Sequence, residues 1–167
     1  MSNKDIKTVI LSSRFGMFEE KILREDGKVI EESAALKDAQ DKLLKMIADI
    51  RAAGKRVIFI STTPSHGNFD PGQCYIKAIT QNQPASACDF TMEEGDQNTY
   101  GFQMASFLRE SKIPVIDLRD MICEENKCSA SKDNIVIFGK GKHLSKEGSA
   151  YLGKTYGWSA RVKKEAR

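Results

Sequence analysis

The chain contains no long apolar stretch. Its hydrophobic runs are only a handful of residues, so no segment reads as a bilayer span. It also has no CxxC pair and only two histidines, His66 and His143, which gives poor support to a zinc site. No metal and no cofactor are expected. A phosphate loop of the GxxxxGK[ST] form is missing. The basic residues are not interleaved with aromatics as single-strand binders require, so a nucleic-acid partner is not expected. An excess of one charge is lacking too: 26 basic against 23 acidic residues leave a net +3, and no polyanion partner is implied. The opening MSNKDIKTVILSSRF is not read as a secretory signal, because Lys4, Asp5 and Lys7 interrupt it. There is no internal repeat. At 167 residues, with 40% hydrophobic and 29% charged content, the chain reads as one soluble domain spanning 1–167 with a substantial core.

What is present follows an alternating pattern. Thr8–Ser13 is an apolar run ending in small polar residues, a buried strand opening onto a loop. At the carboxyl end of a strand in an open α/β sheet, side chains face the crevice where ligands bind. Ser12, Ser13 and Arg14 are therefore cleft candidates, the alternative for Arg14 being a pair with Glu19 or Glu20. Residues 19–32 read as a polar excursion turning at Gly27. Ser33 caps a long helix whose stripe is Leu36, Ala39, Leu43, Ile47 and Ile50, with Gly54 as C-cap. A second strand, Arg56–Ser61, runs into a polar loop holding His66 and Asn68, which either line the crevice or are simply solvated. Residues 70–98 are predicted to be irregular, with one helical turn near Tyr75–Ile79. A helix follows over Asn98–Ser111, then a third strand over Val115–Leu118.

The last part of the chain carries the most suggestive residue. Ile135–Phe138 reads as another buried strand, broken by the flexible basic loop Gly139-Lys140-Gly141-Lys142. His143 comes next, before a helix capped by Ser145 with Gly148 as its third position. A histidine on a loop past a strand end can reach a cleft and act as general base or ligand. The alternative is a surface histidine beside lysines. The helix contains Ala150, Tyr151 and Leu152, and Lys163–Arg167 trails off as a basic tail. The four cysteines fall into two local pairs, Cys74 with Cys88 and Cys123 with Cys128. Two short-range disulfides suit that arrangement and an oxidising compartment, with four reduced thiols as the alternative. Strand, helix, strand, helix, strand and helix predict a small parallel α/β sheet. Three strands plus the Ile135 run make it thin, as if part of the sheet were supplied elsewhere.

Taken in order, TVILSSRF, GKRVIFISTTP, DPGQC, IPVIDLRDMICEENKC and IFGKGKHLSKEGSAYLG resemble the C-terminal part of SGNH domains. The resemblance is to those fused to, or associated with, membrane acyltransferases that O-acylate surface polysaccharides. It covers nearly the whole chain. It implies a flavodoxin-like three-layer α/β/α SGNH-hydrolase fold, incomplete at its N-terminal side. It also implies Ser–His–Asp acyl chemistry, with serine attacking the acyl carbonyl and histidine taking its proton. By position His143 matches the base, and Arg14 matches the arginine after the middle strand, with Ser13 beside it. Ser13, Arg14 and His66 are the cleft or oxyanion candidates. Cys74, Cys88, Cys123 and Cys128 match the family's disulfide positions.

Two departures stand out. No Gly-Asp-Ser nucleophile segment occurs in the chain, and Lys140 stands where the family has an aspartate three residues before the histidine. Lysine cannot accept the imidazole N–H and opposes the imidazolium. Ser12, Ser13, Ser61 or Ser65 as nucleophile, with Asp117 or Asp120 orienting His143, would have to rebuild the triad. The expectation is an SGNH-type O-acyltransferase or esterase acting on cell-surface carbohydrate, as a C-terminal fragment or degenerate copy inactive alone. A non-catalytic carbohydrate-binding pseudoenzyme is the alternative, and an anion- or nucleic-acid-binding domain a third. Expected partners are an acylated carbohydrate substrate or acceptor, and a membrane acyltransferase domain or upstream SGNH half. The implied location is periplasmic or otherwise extracytoplasmic.

Overall fold

A computed structural model describes residues 3–13, 15, 22–23, 27–30, 32–93, 96 and 99–164. In chain order the elements are β1 (Thr8–Ser12), β2 (Ile22–Leu23), β3 (Val29–Ile30), α1 (Glu32–Ala52), β4 (Arg56–Ile60) and α2 (Pro71–Thr80). A 3-10 turn (Ala85–Cys88), β5 (Phe90–Thr91), α3 (Tyr100–Glu110), β6 (Val115–Ile116), α4 (Arg119–Ile122), β7 (Cys123–Glu124) and β8 (Lys127–Cys128) follow. The chain closes with β9 (Ser131–Lys132), β10 (Ile135–Val136), α5 (Lys146–Thr155) and α6 (Trp158–Lys164). Among the described residues no helix is long and apolar enough to cross a membrane. The chain forms two compact units, one within residues 1–62 and 99–116, the other within 63–98 and 117–165.

The first unit is the parallel sheet, ordered β1-β4-β6, with its helices. β1 pairs with β4 from Thr8↔Arg56 to Ser12↔Ile60, and β4 pairs with β6 at Phe59↔Val115 and Ile60↔Ile116. Side chains alternate along a strand, so Val57 and Phe59 share one face of β4. They pack with Ala39, Leu43, Ile47 and Ile50 of α1, Met104, Ala105 and Leu108 of α3, and Ile113. The helical stripe read from the sequence is thus the core stripe, each large apolar residue contributing roughly 1.5–3 kcal/mol by burial. Phe15, in the left-handed region at φ 54°, stacks against Phe59 at 5.9 Å between centroids. Buried Lys55 donates to the carbonyls of Asn3 (2.6 Å) and Ile6 (2.9 Å), tying residues 3–6 to this unit. α1 includes Ser33 within its first turn instead of beginning after it, and Gly54 takes the positive φ of a C-cap (72°). The excursion after β1 contains the short antiparallel pair β2–β3.

The second unit is built from small antiparallel pieces and stapled loops. The apolar run at Ile135 is not a strand of the parallel sheet. Ile135↔Lys132 and Val136↔Ser131 pair antiparallel across Asp133-Asn134, whose φ values are 48° and 61°. Two consecutive positive φ values make the tight hairpin turn that Asp and Asn tolerate best, so the chain reverses there. Ile137 and Phe138 are buried past the hairpin. The third strand likewise stops at Ile116, and residues 119–122 turn into α4. β7 and β8 form a second hairpin, extended by β5 into a three-stranded antiparallel sheet. Both cysteine pairs form disulfides: Cys74–Cys88 joins α2 to the 3-10 turn, and Cys123–Cys128 joins facing residues of β7 and β8. α2 is longer than the single turn expected, because Asp70 caps it (Gln73 N–H to Oδ1, 2.9 Å) and Pro71 occupies its first position. Lys163 and Lys164 belong to α6, not to a tail.

Candidate active site

Both histidines lie in the second unit, on two loops that are bound to each other. One is the segment after Thr62, and the other is the Gly139–Leu144 loop. Thr63 donates its hydroxyl to the Lys142 carbonyl at 2.6 Å. Lys142 donates its ammonium to the Gly67 carbonyl. The Gly141 N–H donates to Asp70 Oδ2 at 3.0 Å, so Asp70 serves α2 with one oxygen and the basic loop with the other. Gly72 lies against the Gly139 carbonyl so closely that a Cβ there would stand 1.7 Å from its oxygen. Gly141 takes φ +71°, a conformation glycine adopts without cost.

The second loop is also anchored at its far end. Phe138 bridges Leu144, and the Gly139 N–H donates to the His143 carbonyl at 2.9 Å. Ser145 caps α5 as expected: its Oγ accepts from Gly148 N–H at 2.7 Å and donates to the Val136 carbonyl at 2.5 Å. Gly148 is required at that third position. A Cβ would fall 2.4 Å from the Ile137 carbonyl oxygen. His143 is thus presented by a backbone fixed on both sides, while its ring is exposed. Among the described residues the ring has no hydrogen-bond partner. Neither Asp117 nor Asp120 orients it. The Asp117 carboxylate is buried and accepts from Arg119, through the backbone N–H at 3.0 Å and the guanidinium at 3.4 Å. Lys140 is exposed.

His66 is oriented. Its Nδ1 lies 2.7 Å from Asp96 Oδ2. Asp96 is itself held by the Gly67 N–H at Oδ1 (2.9 Å) and the Glu93 N–H at Oδ2 (3.0 Å). The bond to Asp96 raises the His66 pKa above its usual 6.5, with Glu93 adding to the shift; desolvation and the Lys142 charge oppose it. For Asp96, desolvation pushes upward. The N–H of Gly67, the imidazole and the N–H of Glu93 outweigh it, and the carboxyl sits below its usual value. A histidine with Nδ1 bonded to a carboxylate keeps Nε2 for proton transfer, the arrangement that serine hydrolases use. Asp96 was not among the residues singled out from the sequence. It lies 30 positions from His66 in a stretch without a motif, and only folding brings the two together.

The remaining candidates are scattered. Ser12 and Ser13 lie exposed at the carboxyl end of β1 in the first unit, where Ser13 Oγ accepts weakly from Phe15 N–H (3.5 Å). Arg14 falls outside the described residues. Ser61 is buried, with its hydroxyl directed to the Thr62 carbonyl at 3.1 Å. Ser65 is half-buried and Asn68 exposed on the His66 loop. Among the described residues no group of three or more His, Cys, Asp and Glu could hold a metal ion.

The parallel β1-β4-β6 sheet with its helices makes this a mixed α/β protein, the class to which SGNH domains belong. The sequence matches the family model described as "SGNH domain (fused to AT3 domains)" over residues 1–157, and the chain belongs to that family. No curated protein matches it. Among solved structures it is similar to the periplasmic domain of a lipopolysaccharide acetyltransferase from Salmonella ser. Paratyphi A. The TM-score is 0.53 at 19% identity, over 92% of this chain and 56% of that one. The likeness is one of fold, and the chain spans little more than half the length of that domain.

Proposed function

We propose that this domain supplies the histidine side of an SGNH acyl-transfer site and works on acyl esters of cell-surface carbohydrate. His143 stands at the family's base position. The observation that carries the reading is the presentation of that residue: an exposed imidazole on a loop clamped to Thr63, Gly67, Asp70 and Gly72, at the mouth of α5. Such clamping fixes the backbone that carries the base and so limits where its imidazole can reach, which helps to position it for proton transfer.

The nucleophile in this reading comes from outside these 167 residues, since they contain no Gly-Asp-Ser segment. The domain is then inactive alone. It works beside an upstream SGNH segment and a membrane acyltransferase, in the periplasm or another extracytoplasmic space. The two disulfides support the oxidising location. Membership of a family described by its fusion to AT3 domains supports the partner.

The test is hydrolysis of p-nitrophenyl acetate by the disulfide-bonded chain, alone and joined to an SGNH block carrying Gly-Asp-Ser, beside His143→Ala. The chain alone should show no turnover above buffer. The joined protein should show turnover that His143→Ala removes. Turnover by the chain alone, lost in His143→Ala, would mean a nucleophile within these residues. A joined protein that folds, binds acylated oligosaccharide and never turns it over would favour the binding-only reading instead.

A further inference from the structure

We infer that His66, oriented by Asp96, is a second base of this site, and that it activates the acceptor hydroxyl that takes the acyl group off the serine. The inference rests on the acyl-transfer reading above. His66 and His143 flank a single contact, because Lys142 precedes His143 and donates to the carbonyl of Gly67, which follows His66. The Thr63–Lys142 and Asp70–Gly141 bonds hold the same two loops together, so the two histidines are carried by hydrogen-bonded neighbours within the second unit.

Their chemistry differs. His143 has an exposed ring without a carboxylate partner among the described residues, and Lys140 occupies the place of the expected one. His66 has its Nδ1 proton committed to Asp96, and Asp96 is fixed by two backbone N–H groups. The ring is 38% exposed against 15% for the carboxylate, so the imidazole meets solvent and its orienting partner is sheltered. That division suits a base that meets a changing acceptor.

The step is a proton transfer coupled to acyl transfer. The acceptor hydroxyl loses its proton to His66 Nε2 as its oxygen attacks the acyl carbon. The new C–O bond forms, and the bond from that carbon to the serine oxygen breaks. The serine oxygen recovers a proton from the imidazolium. Water in place of the sugar hydroxyl gives hydrolysis with the same balance. The charged groups facing His66 are Asp96 and Glu93, which favour the imidazolium, and Lys142, which opposes it.

The test separates the two half-reactions in the joined protein that carries the Gly-Asp-Ser block. With p-nitrophenyl acetate, His66→Gln should slow release of the acetyl group about 100-fold, so that acyl-enzyme accumulates and a burst appears, within the span expected for one general base. His143→Ala should instead suppress formation of the acyl-enzyme. Asp96→Asn should move the pH limb of deacylation downward, and in the 167-residue chain alone 15N NMR should show the neutral His66 ring protonated at Nδ1. Thermal melting keeps misfolded variants out of the comparison. The inference is overturned if a folded His66→Gln leaves deacylation within twofold, if it slows both half-reactions equally, or if neutral His66 carries its proton at Nε2. Wild-type protein that never forms an acyl-enzyme would overturn the acyl-transfer reading itself, and this inference with it.

Discussion

Replacing Gly72 by alanine should push α2 away from the loop that carries His143. An ideal Cβ at Gly72 would stand 1.7 Å from the Gly139 carbonyl oxygen and 2.6 Å from its carbon, and 3.4 Å from Asp70 Oδ1. Ordinary contact begins near 3.4 Å, so α2 and the Gly139 loop must move apart by about 1.7 Å. The opposing atoms are backbone, and no rotamer change relieves them. Overpacking of this kind costs about 1–3 kcal/mol. A shift of that size also breaks the Gly141–Asp70 and Thr63–Lys142 hydrogen bonds, each worth about 1 kcal/mol. The sum is roughly 3–5 kcal/mol, which at about 2–4 °C per kcal/mol lowers Tm by on the order of 10 °C. Gly67→Ala is the internal control. Its φ is +43° with nothing within 4 Å of the added methyl, so it carries only backbone strain of about 1–3 kcal/mol. The assay is calorimetric or circular-dichroism melting under non-reducing conditions. If Gly72→Ala melts within 2 °C of the parent, or above Gly67→Ala, the close approach of α2 to the Gly139 loop is wrong.

Four further outcomes follow from the same geometry. Asp70→Ala removes an α2 cap and the acceptor for Gly141, and should cost about 2 kcal/mol in urea unfolding, where Asp70→Asn costs less. Ser145→Ala should cost about 1 kcal/mol through the lost α5 cap, measured the same way. Removing Cys74–Cys88, whose partners are 14 positions apart, should cost about 3 kcal/mol, and removing Cys123–Cys128, 5 apart, about 2, by the loop-entropy relation. Equal losses would exclude chain entropy as the main cause. The His66–Asp96 pair sets a pH window. Because the His66 pKa is raised, its contribution is full below 6.5 and fades as pH rises through the raised value. Because the Asp96 pKa is lowered, its contribution is full above 3.8 and fades as pH falls through the lowered value. The difference in stability between parent and Asp96→Asn should therefore be widest in mild acid and shrink on both sides.

Much of this protein is legible in its residue order. The 3.6-residue spacing of Ala39, Leu43, Ile47 and Ile50 determines both α1 and the face it buries. Ser145 with Gly148 marks the start of α5 because a cap needs an acceptor three residues before a free N–H. The parallel sheet follows from β-branched runs separated by helices, and the segments from TVILSSRF to KHLSKEG point to the family and to His143. Local chemistry could have said more at two places. Asp70-Pro71 is a helix start, and Asp133-Asn134 is a turn that makes Ile135–Val136 a hairpin strand, not a fourth strand of the parallel sheet.

The rest is tertiary. That Asp96 reaches His66, that Lys142 bonds Gly67, and that Gly72 must lack a side chain because Gly139 lies against it are facts about residues 30, 75 and 67 positions apart. Helical and strand periods report only which face of an element is apolar. They carry no information about which polar loops meet, because a loop residue's partner is chosen by the packing of the elements on either side. The sequence alone points to the long helix, the parallel strands and the family; only the fold decides where the Ile135 strand pairs, that His66 has a carboxylate, and that its loop is bonded to the loop of His143.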